Sequence, residues 1–327
     1  MNKILGKLTL SFLVLTITLN VNAQKDSIFY NPKVSGCVRA KYEYNLSTES
    51  HRFEVRNARF SVSGNVVPMI EYKAEIDLSD EGVTKMLDAY VKVNALKNLE
   101  IYMGQMKIPY STDNLRSPHQ LLFSNRSFIA KRISKNLRDI GAMASYKIPI
   151  SMPIKIDMGV FNGSGFNNPE WVKTVNYGAR TVIEPLKSIS LSGNYYAGEM
   201  DDHHVELLGA GCGFKLGHFV FETEYASKWA KDTLGNAVTS YAFFAYGLYH
   251  FELKNKTLKR ITPAIRYDFY DSDNSTDVFE PGRITAGLTF GFSKLTFADI
   301  RLNYEKYYYK TLPNVDDKFT IEFIAKF

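Results

Sequence analysis

The chain has 327 residues, with 40 Lys and Arg against 34 Asp and Glu, two Cys and 14% aromatic side chains. That aromatic content excludes a disordered chain, and two cysteines in this length exclude a disulfide scaffold. A net charge of +6 is too small to mark a nucleic-acid binder, and neither a nucleic-acid partner nor a cofactor is expected.

Residues 1–23 read as a secretory signal peptide. Lys3 and Lys7 precede the apolar run Leu8–Leu19, and Val21-Asn22-Ala23 ends the segment. Twelve apolar residues are too few for a membrane-spanning helix, which needs about 20, so an N-terminal anchor is the weaker reading. Cleavage after Ala23 leaves 24–327 with a net charge of +4, since Lys3 and Lys7 are lost. Beyond it the longest nearly apolar run is Tyr241–Phe251, broken by His250, and no spanning helix is predicted.

The remaining pattern has period two. Val34, Gly36, Val38, Ala40, Tyr42 and Tyr44 alternate with Ser35, Cys37, Arg39, Lys41 and Glu43. Similar alternation recurs from Ile70 to Leu78, from Ile154 to Val160 and from Ala298 to Glu305. Strand side chains face opposite sides in turn, so each segment has one apolar and one polar face. Sixteen strands are predicted, at 33–45, 51–64, 68–79, 86–94, 98–108, 138–147, 153–162, 175–184, 187–197, 204–216, 218–229, 239–253, 259–271, 282–292, 295–307 and 318–327. Residues 85–96 also show helical spacing, and the orientation of 99–108 is not set by alternation. Connections after even strands are short, and those after odd strands are generally longer, above all 109–137. That segregation predicts an all-β transmembrane antiparallel barrel with short periplasmic turns and longer extracellular loops. A soluble sandwich gives no reason for it.

The last strand places Phe319, Ile321, Phe323, Ala325 and Phe327 on one face, ending on an aromatic carboxyl terminus as outer-membrane barrels do. Tyr195-Tyr196, Tyr267, Phe269, Tyr270 and Tyr307–Tyr309 suit aromatic girdles at the headgroup level, with core packing as the alternative.

Asp88-Ala89-Tyr90-Val91, followed by Gly104-Gln105-Met106-Lys107-Ile108-Pro109-Tyr110, resembles the phosphate-selective porin O and P family. Phe53–Gly64, Arg126-Ser127, Arg138–Gly141, Phe161–Gly163, Glu222 with Tyr225, and Arg266–Asp268 extend the likeness along the chain. The resemblance implies a sixteen-stranded, typically trimeric porin of the Gram-negative outer membrane that passes anions, in some members phosphate. Lipid and lipopolysaccharide would surround it.

Segment 109–138 holds Arg116, Arg126, Lys131, Arg132, Lys135 and Arg138 against Asp113 alone, a net +5, while the rest of 24–327 is slightly acidic. If this loop folds inward, as the family implies, its cations sit at a constriction where low-dielectric walls focus their field on anions. Lys107 matches the family's lysine and leads the candidates, with Arg116, Arg126, Lys131, Arg132 and Arg138. Arg56 and Arg59 are secondary, straddling a break in alternation that suggests a bulge. The wall itself is mixed in charge and is no obvious anion filter.

Other signals are weak. Asp201–His204 lies beside an external loop and is read as solvated, with no metal site expected. Gly209–Gly213 falls within a strand and lacks the helix a nucleotide loop needs. Cys37 and Cys212 fall on distant strands and are expected as free thiols. An embedded enzyme needs a nucleophile–histidine pair, and Ser117 with His119 is disfavoured by its loop. A non-selective channel and a plugged binding barrel remain alternatives.

Overall fold

Every expected strand is a strand in the computed structural model, which describes residues 32–135, 138–200, 203–231, 235–273, 281–293, 298–309 and 317–327. The expected signal peptide lies outside the described residues. The strands are β1 (Lys33–Asn45), β2 (Ser50–Val67), β3 (Ile70–Asp80), β4 (Val83–Leu96), β5 (Leu99–Lys107), β6 (Arg138–Ile148), β7 (Ile154–Phe161) and β8 (Asn176–Leu186). They continue as β9 (Ile189–Met200), β10 (His203–Leu216), β11 (Phe219–Lys231), β12 (Ala237–Tyr249), β13 (Arg260–Asp271), β14 (Pro281–Gly291), β15 (Ala298–Tyr309) and β16 (Lys318–Lys326). Phe251–Glu252 prolongs β12 past His250. Each strand pairs antiparallel with its neighbours in sequence, and β1 pairs with β16 to close the barrel. Gly36 and Phe327 exchange both backbone hydrogen bonds at that seam, at 2.8 and 3.0 Å.

Closure turns the usual burial rule inside out. Val34, Phe53, Met103 and Phe323 are exposed on the outer wall, whereas Arg39, Asp77, Arg283 and Glu322 are buried. Apolar side chains face lipid and polar ones the lumen, as a membrane barrel requires. Residues 85–96 are strand throughout, and exposed Ile101 and Met103 set the outer face of β5, with Tyr102 donating to Glu100 on the inner face at 2.7 Å. The aromatic clusters divide between faces, because neighbours on a strand point opposite ways. Tyr195, Tyr267 and Tyr308 lie outside, while Tyr196 and Tyr307 are buried within.

Two local features depart from a plain meander. The connection after β3 is only Glu81-Gly82, shorter than expected. Both residues have positive φ (57° and 86°), the backbone of a two-residue hairpin whose twist matches the strands. The β1–β2 register slips between Arg39/Ala40, so Arg56 is the extra residue of a bulge, where the break in alternation foretold one.

Gly104 in β5 has φ 131°, and a Cβ there would collide with the Ala89 carbonyl oxygen. Gly104→Ala is therefore expected to cost about 1–3 kcal/mol from the backbone conformation alone. The measurement is the urea midpoint of the detergent-folded barrel; an unchanged midpoint would show that β4 and β5 do not meet this closely.

Candidate functional site

The connection from β5 to β6 (residues 108–137, here L3) is described through Lys135. It holds a turn of helix at Thr112–Leu115, a 3-10 turn at Pro118–Gln120 and a π-helical turn at Ile129–Ile133. It folds into the lumen because it is as apolar as a small core. Ile108, Tyr110, Phe123, Phe128, Ile129 and Ile133 are buried in one cluster with Leu207 of β10, Ala226 of β11 and Ala242, Phe244 and Tyr246 of β12. The apolar run Tyr241–Phe251 is thereby explained: lipid meets one face of β12, and L3 covers the other. One side of the lumen is filled by this cluster.

Four arginines of β1, β13, β14 and β15, the wall that continues from β12, hold L3 by its backbone. Arg301 donates to the Leu121 carbonyl at 2.5 Å, Arg39 to Ser124 at 2.9 Å, Arg266 to Asn125 at 3.0 Å and Arg283 to Arg126 at 2.8 Å. The same side chains pair with wall carboxylates: Arg39 and Arg301 with Glu322, Arg266 and Arg283 with Asp268, and Arg283 with Glu305. A guanidinium offers five N–H donors in a planar fork, so one side chain can hold a carboxylate and a carbonyl together. Arg266 and Arg283 also lie over the rings of Phe123 and Phe128, each 4.6 Å from the centroid.

The start of L3 is anchored elsewhere. Ser111 Oγ and the Thr112 N–H both donate to Glu224 Oε2 at 3.1 Å, and Arg180 donates to Thr112 Oγ1 at 2.8 Å. Lys107 spends its three protons on the carbonyls of Asn114, Leu115 and Arg116, at 3.0, 2.9 and 2.9 Å, closing the open end of the short helix. Asp113 accepts from the N–H and hydroxyl of Ser127 at 2.9 and 2.8 Å. Burial works to raise its pKa, but Arg126, Arg266 and Arg116 hold it below the ordinary carboxylate value.

Between L3 and β1–β4 remains a cavity of about 250 Å³. Of ten charged residues lining it, nine are cations: Arg39, Arg56, Arg59, Lys85, Lys107, Arg126, Lys131, Lys135 and Arg138, with Asp80 alone opposed. The carboxylates that pair with these cations mostly sit behind them. Arg59 backs onto Asp77 at 2.8 Å and Arg138 onto Asp88 at 2.8 Å, and neither acid lines the cavity. The mixed wall is thus ordered in depth, with cations forward and acids behind.

Six of the eight candidates meet at this cavity: Lys107, Arg126, Lys131, Arg138, Arg56 and Arg59. Arg116 does not. It pairs with Glu222 through both terminal nitrogens and donates to Tyr246 at 3.3 Å, fastening L3 to β11 and β12. Arg132 is exposed and does not line the cavity. Lys107, Arg126 and Lys131 have no carboxylate within ion-pair distance among the described residues. Arg126 instead donates to the carbonyls of Asp113 and Arg116. Burial pulls its pKa down to about 10 against the opposing pull of Asp113. Lys131 is open to lumen water yet surrounded by protein; withdrawal from bulk solvent and nearby Arg283 bring it down to about 7, against Glu305.

Arg39 and Lys85 were not singled out from sequence. Both lie on the lumen face; phase in the alternation was the available signal for Arg39, whereas a register shift between β3 and β4 puts Lys85 out of phase with Asp88 and Lys92 and hid it. His119 sits by Lys326 Nζ, 3.1 Å from Nε2. Cys37 and Cys212 are free. Asp201 and Asp202 lie outside the described residues.

A family model described as phosphate-selective porin O and P matches residues 36–207. No curated protein matches the chain in sequence. Among solved structures, the trimer form of OmpT from Vibrio cholerae aligns with a TM-score of 0.66 at 12% identity, covering 91% of this chain and 99% of that one. An anion-selective porin from Comamonas acidovorans gives the same four values. The outer membrane channel DcaP of Acinetobacter baumannii aligns at 0.62 and 13% identity, covering 93% and 99%.

Removing Arg283 tests the clamp. It is wholly buried, and its loss leaves Asp268 to Arg266 and Glu305 to Lys318, so Arg283→Ala is expected to cost about 1.5–3 kcal/mol, the scale of hydrogen bonds to charged groups. L3 should also loosen, giving larger and noisier single-channel conductance in planar bilayers. Wild-type conductance with a wild-type urea midpoint would remove Arg283 from the clamp.

Proposed function

Because this chain belongs to the phosphate-selective porin O and P family, we propose that it passes small anions through its lumen by passive diffusion, with the basic cavity as the constriction. Family and fold make it an outer-membrane protein of the Gram-negative type, and they support a channel over an enzyme. The observation that carries the anion reading is the nine-to-one excess of cations on the cavity wall.

Three of those charges, on Lys107, Arg126 and Lys131, lack a carboxylate partner among the described residues, so the excess is not cancelled locally. An unscreened charge at about 4 Å is worth roughly 4 kcal/mol at an effective dielectric of about 20, against about 1 kcal/mol in bulk water. Anions are concentrated there accordingly. Phosphate suits the site because arginine forks match its oxygens. Arg126, Lys131, Arg138, Arg56 and Arg59 are assigned to the anion path. Lys107 adds charge while positioning L3, and Arg116 serves as an anchor. The trimeric form of OmpT supports a homotrimer here as well. Lipopolysaccharide is the proposed outward neighbour.

Reversal potentials across a chloride gradient test the reading. Arg126→Gln is expected to lower the anion-to-cation permeability ratio about three- to tenfold, whereas Arg132→Gln, exposed and away from the cavity wall, should change it little. A cation-selective wild type, or no conductance from folded protein, would overturn the proposal.

Lys131 adds a pH dependence. Its lowered pKa means the charge is present below about pH 7 and is lost above it. Anion preference should therefore weaken as pH rises from about 6 to about 9, and Lys131→Arg should flatten that change. Arg283, Glu305, Lys318 and Lys41 are the charged groups around it. A pH profile identical in Lys131→Arg would assign the titration elsewhere.

A further inference from the structure

The connection from β7 to β8 (residues 162–175, here L4) also turns inward, and it is pinned twice. The Gly163 N–H donates to Asp139 Oδ2 at 2.5 Å, from a left-handed backbone at φ 85°. Further along, the Asn167 N–H donates to Gln105 Oε1 at 2.6 Å, and Gln105 Nε2 donates back to Asn167 Oδ1 at 3.0 Å. Gln105 is itself fixed by donating to the Leu87 carbonyl at 2.6 Å. Asn167 has φ 60°, a conformation asparagine tolerates better than most residues.

Between these pins Phe166 is presented at the wall of the basic cavity, its ring exposed and 5.8 Å from Lys85 Nζ. Leu87 and Leu121 line the same space. Lys85 pairs with Asp80, and Arg56 with Asp80 and Glu81, so the positive charge open to a solute comes from the other cations of the cavity wall, Arg126 among them. Leu87 and Leu121 are buried behind this wall, and the exposed aromatic face of Phe166 beside its cations is more than a hydrated inorganic ion requires. A cavity of about 250 Å³ is below the roughly 300 Å³ at which drug-sized ligands begin.

We propose that L4 and the cavity wall form a subsite for a small aryl anion, one aromatic ring bearing a phosphate or carboxylate. The ring packs on Phe166, and the anionic group meets the cavity cations that keep no carboxylate partner among the described residues, Arg126 foremost. The inference rests on the anion-channel reading and narrows it to a substrate class. The Gln105–Asn167 latch is what makes the subsite a fixed feature of the lumen.

The test is block of chloride current in planar bilayers by phenyl phosphate and by methyl phosphate, which share one headgroup and one charge. Phenyl phosphate should reach half-block at about tenfold lower concentration, the scale of one apolar ring contact. Phe166→Ala, a change in an exposed loop side chain, should bring the two within about twofold of each other. Equal block in the wild type of an anion-selective channel overturns the subsite alone, as does an undiminished phenyl preference in Phe166→Ala. A cation-selective channel blocked by neither compound overturns the channel reading and the subsite with it.

Discussion

A guanidinium has more N–H groups than one carboxylate can use, and this barrel depends on that surplus. Arg39, Arg266, Arg283 and Arg301 each hold a wall carboxylate with part of the fork and an L3 carbonyl with the rest. A lysine ammonium is a point charge without that fixed geometry. Burying these cations is costly in itself, and the cost is tolerable only because each is paired and hydrogen-bonded at once. The clamp on β13–β15 and β1 therefore takes over where the apolar cluster on β10–β12 ends, along one continuous arc of wall. Dispersion and water exclusion press L3 against one wall, and charge-assisted hydrogen bonds fix its remaining edge. What is left of the lumen is the space by β1–β4.

That division explains why the total charge of the chain says so little. The carboxylates Asp77, Asp88 and Glu322 are real counter-charges, yet they lie behind the side chains they neutralise. A solute in the cavity is closer to the nitrogens than to the oxygens, and at low dielectric that difference in distance is a difference in energy. The barrel wall, near neutral by count, is positive by arrangement.

The strands were legible because a membrane barrel writes period two into its sequence, and sixteen segments with segregated loops leave few other folds. The inward turn of L3 was only half legible. Its basic composition was plain, but its direction was supplied by family resemblance. The independent clue was β12, where Ala242, Phe244, Tyr246 and Leu248 make the inner face as apolar as the outer. A doubly apolar strand in a barrel implies that something covers its lumen face. The fates of Arg116 and Arg126 were not legible at all. They are ten positions apart in one loop, and only the fold brings Glu222 to the first and leaves the second without a carboxylate. Pairing across 106 residues leaves no local trace.

The block from Asp88 to Tyr110, the most distinctive stretch of the chain, turns out to be about loop placement. Asp88 fixes Lys73 and Arg138, Gly104 lets β5 approach β4, Gln105 latches L4, and Lys107 caps the helical turn of L3. Tyr110 packs against Gly209, where its hydroxyl oxygen lies 3.2 Å from the position a Cβ would take. None of the five needs to touch a permeating ion to be required. The groups assigned here to the anion path and to ring recognition, Arg126, Lys131 and Phe166, all lie outside that block. A barrel can therefore keep the whole signature, and with it the architecture of the constriction, while the side chains that meet the solute change around it. Likeness in the signature thus speaks for the shape of the channel, and the choice of anion has to be read from the loops it holds in place.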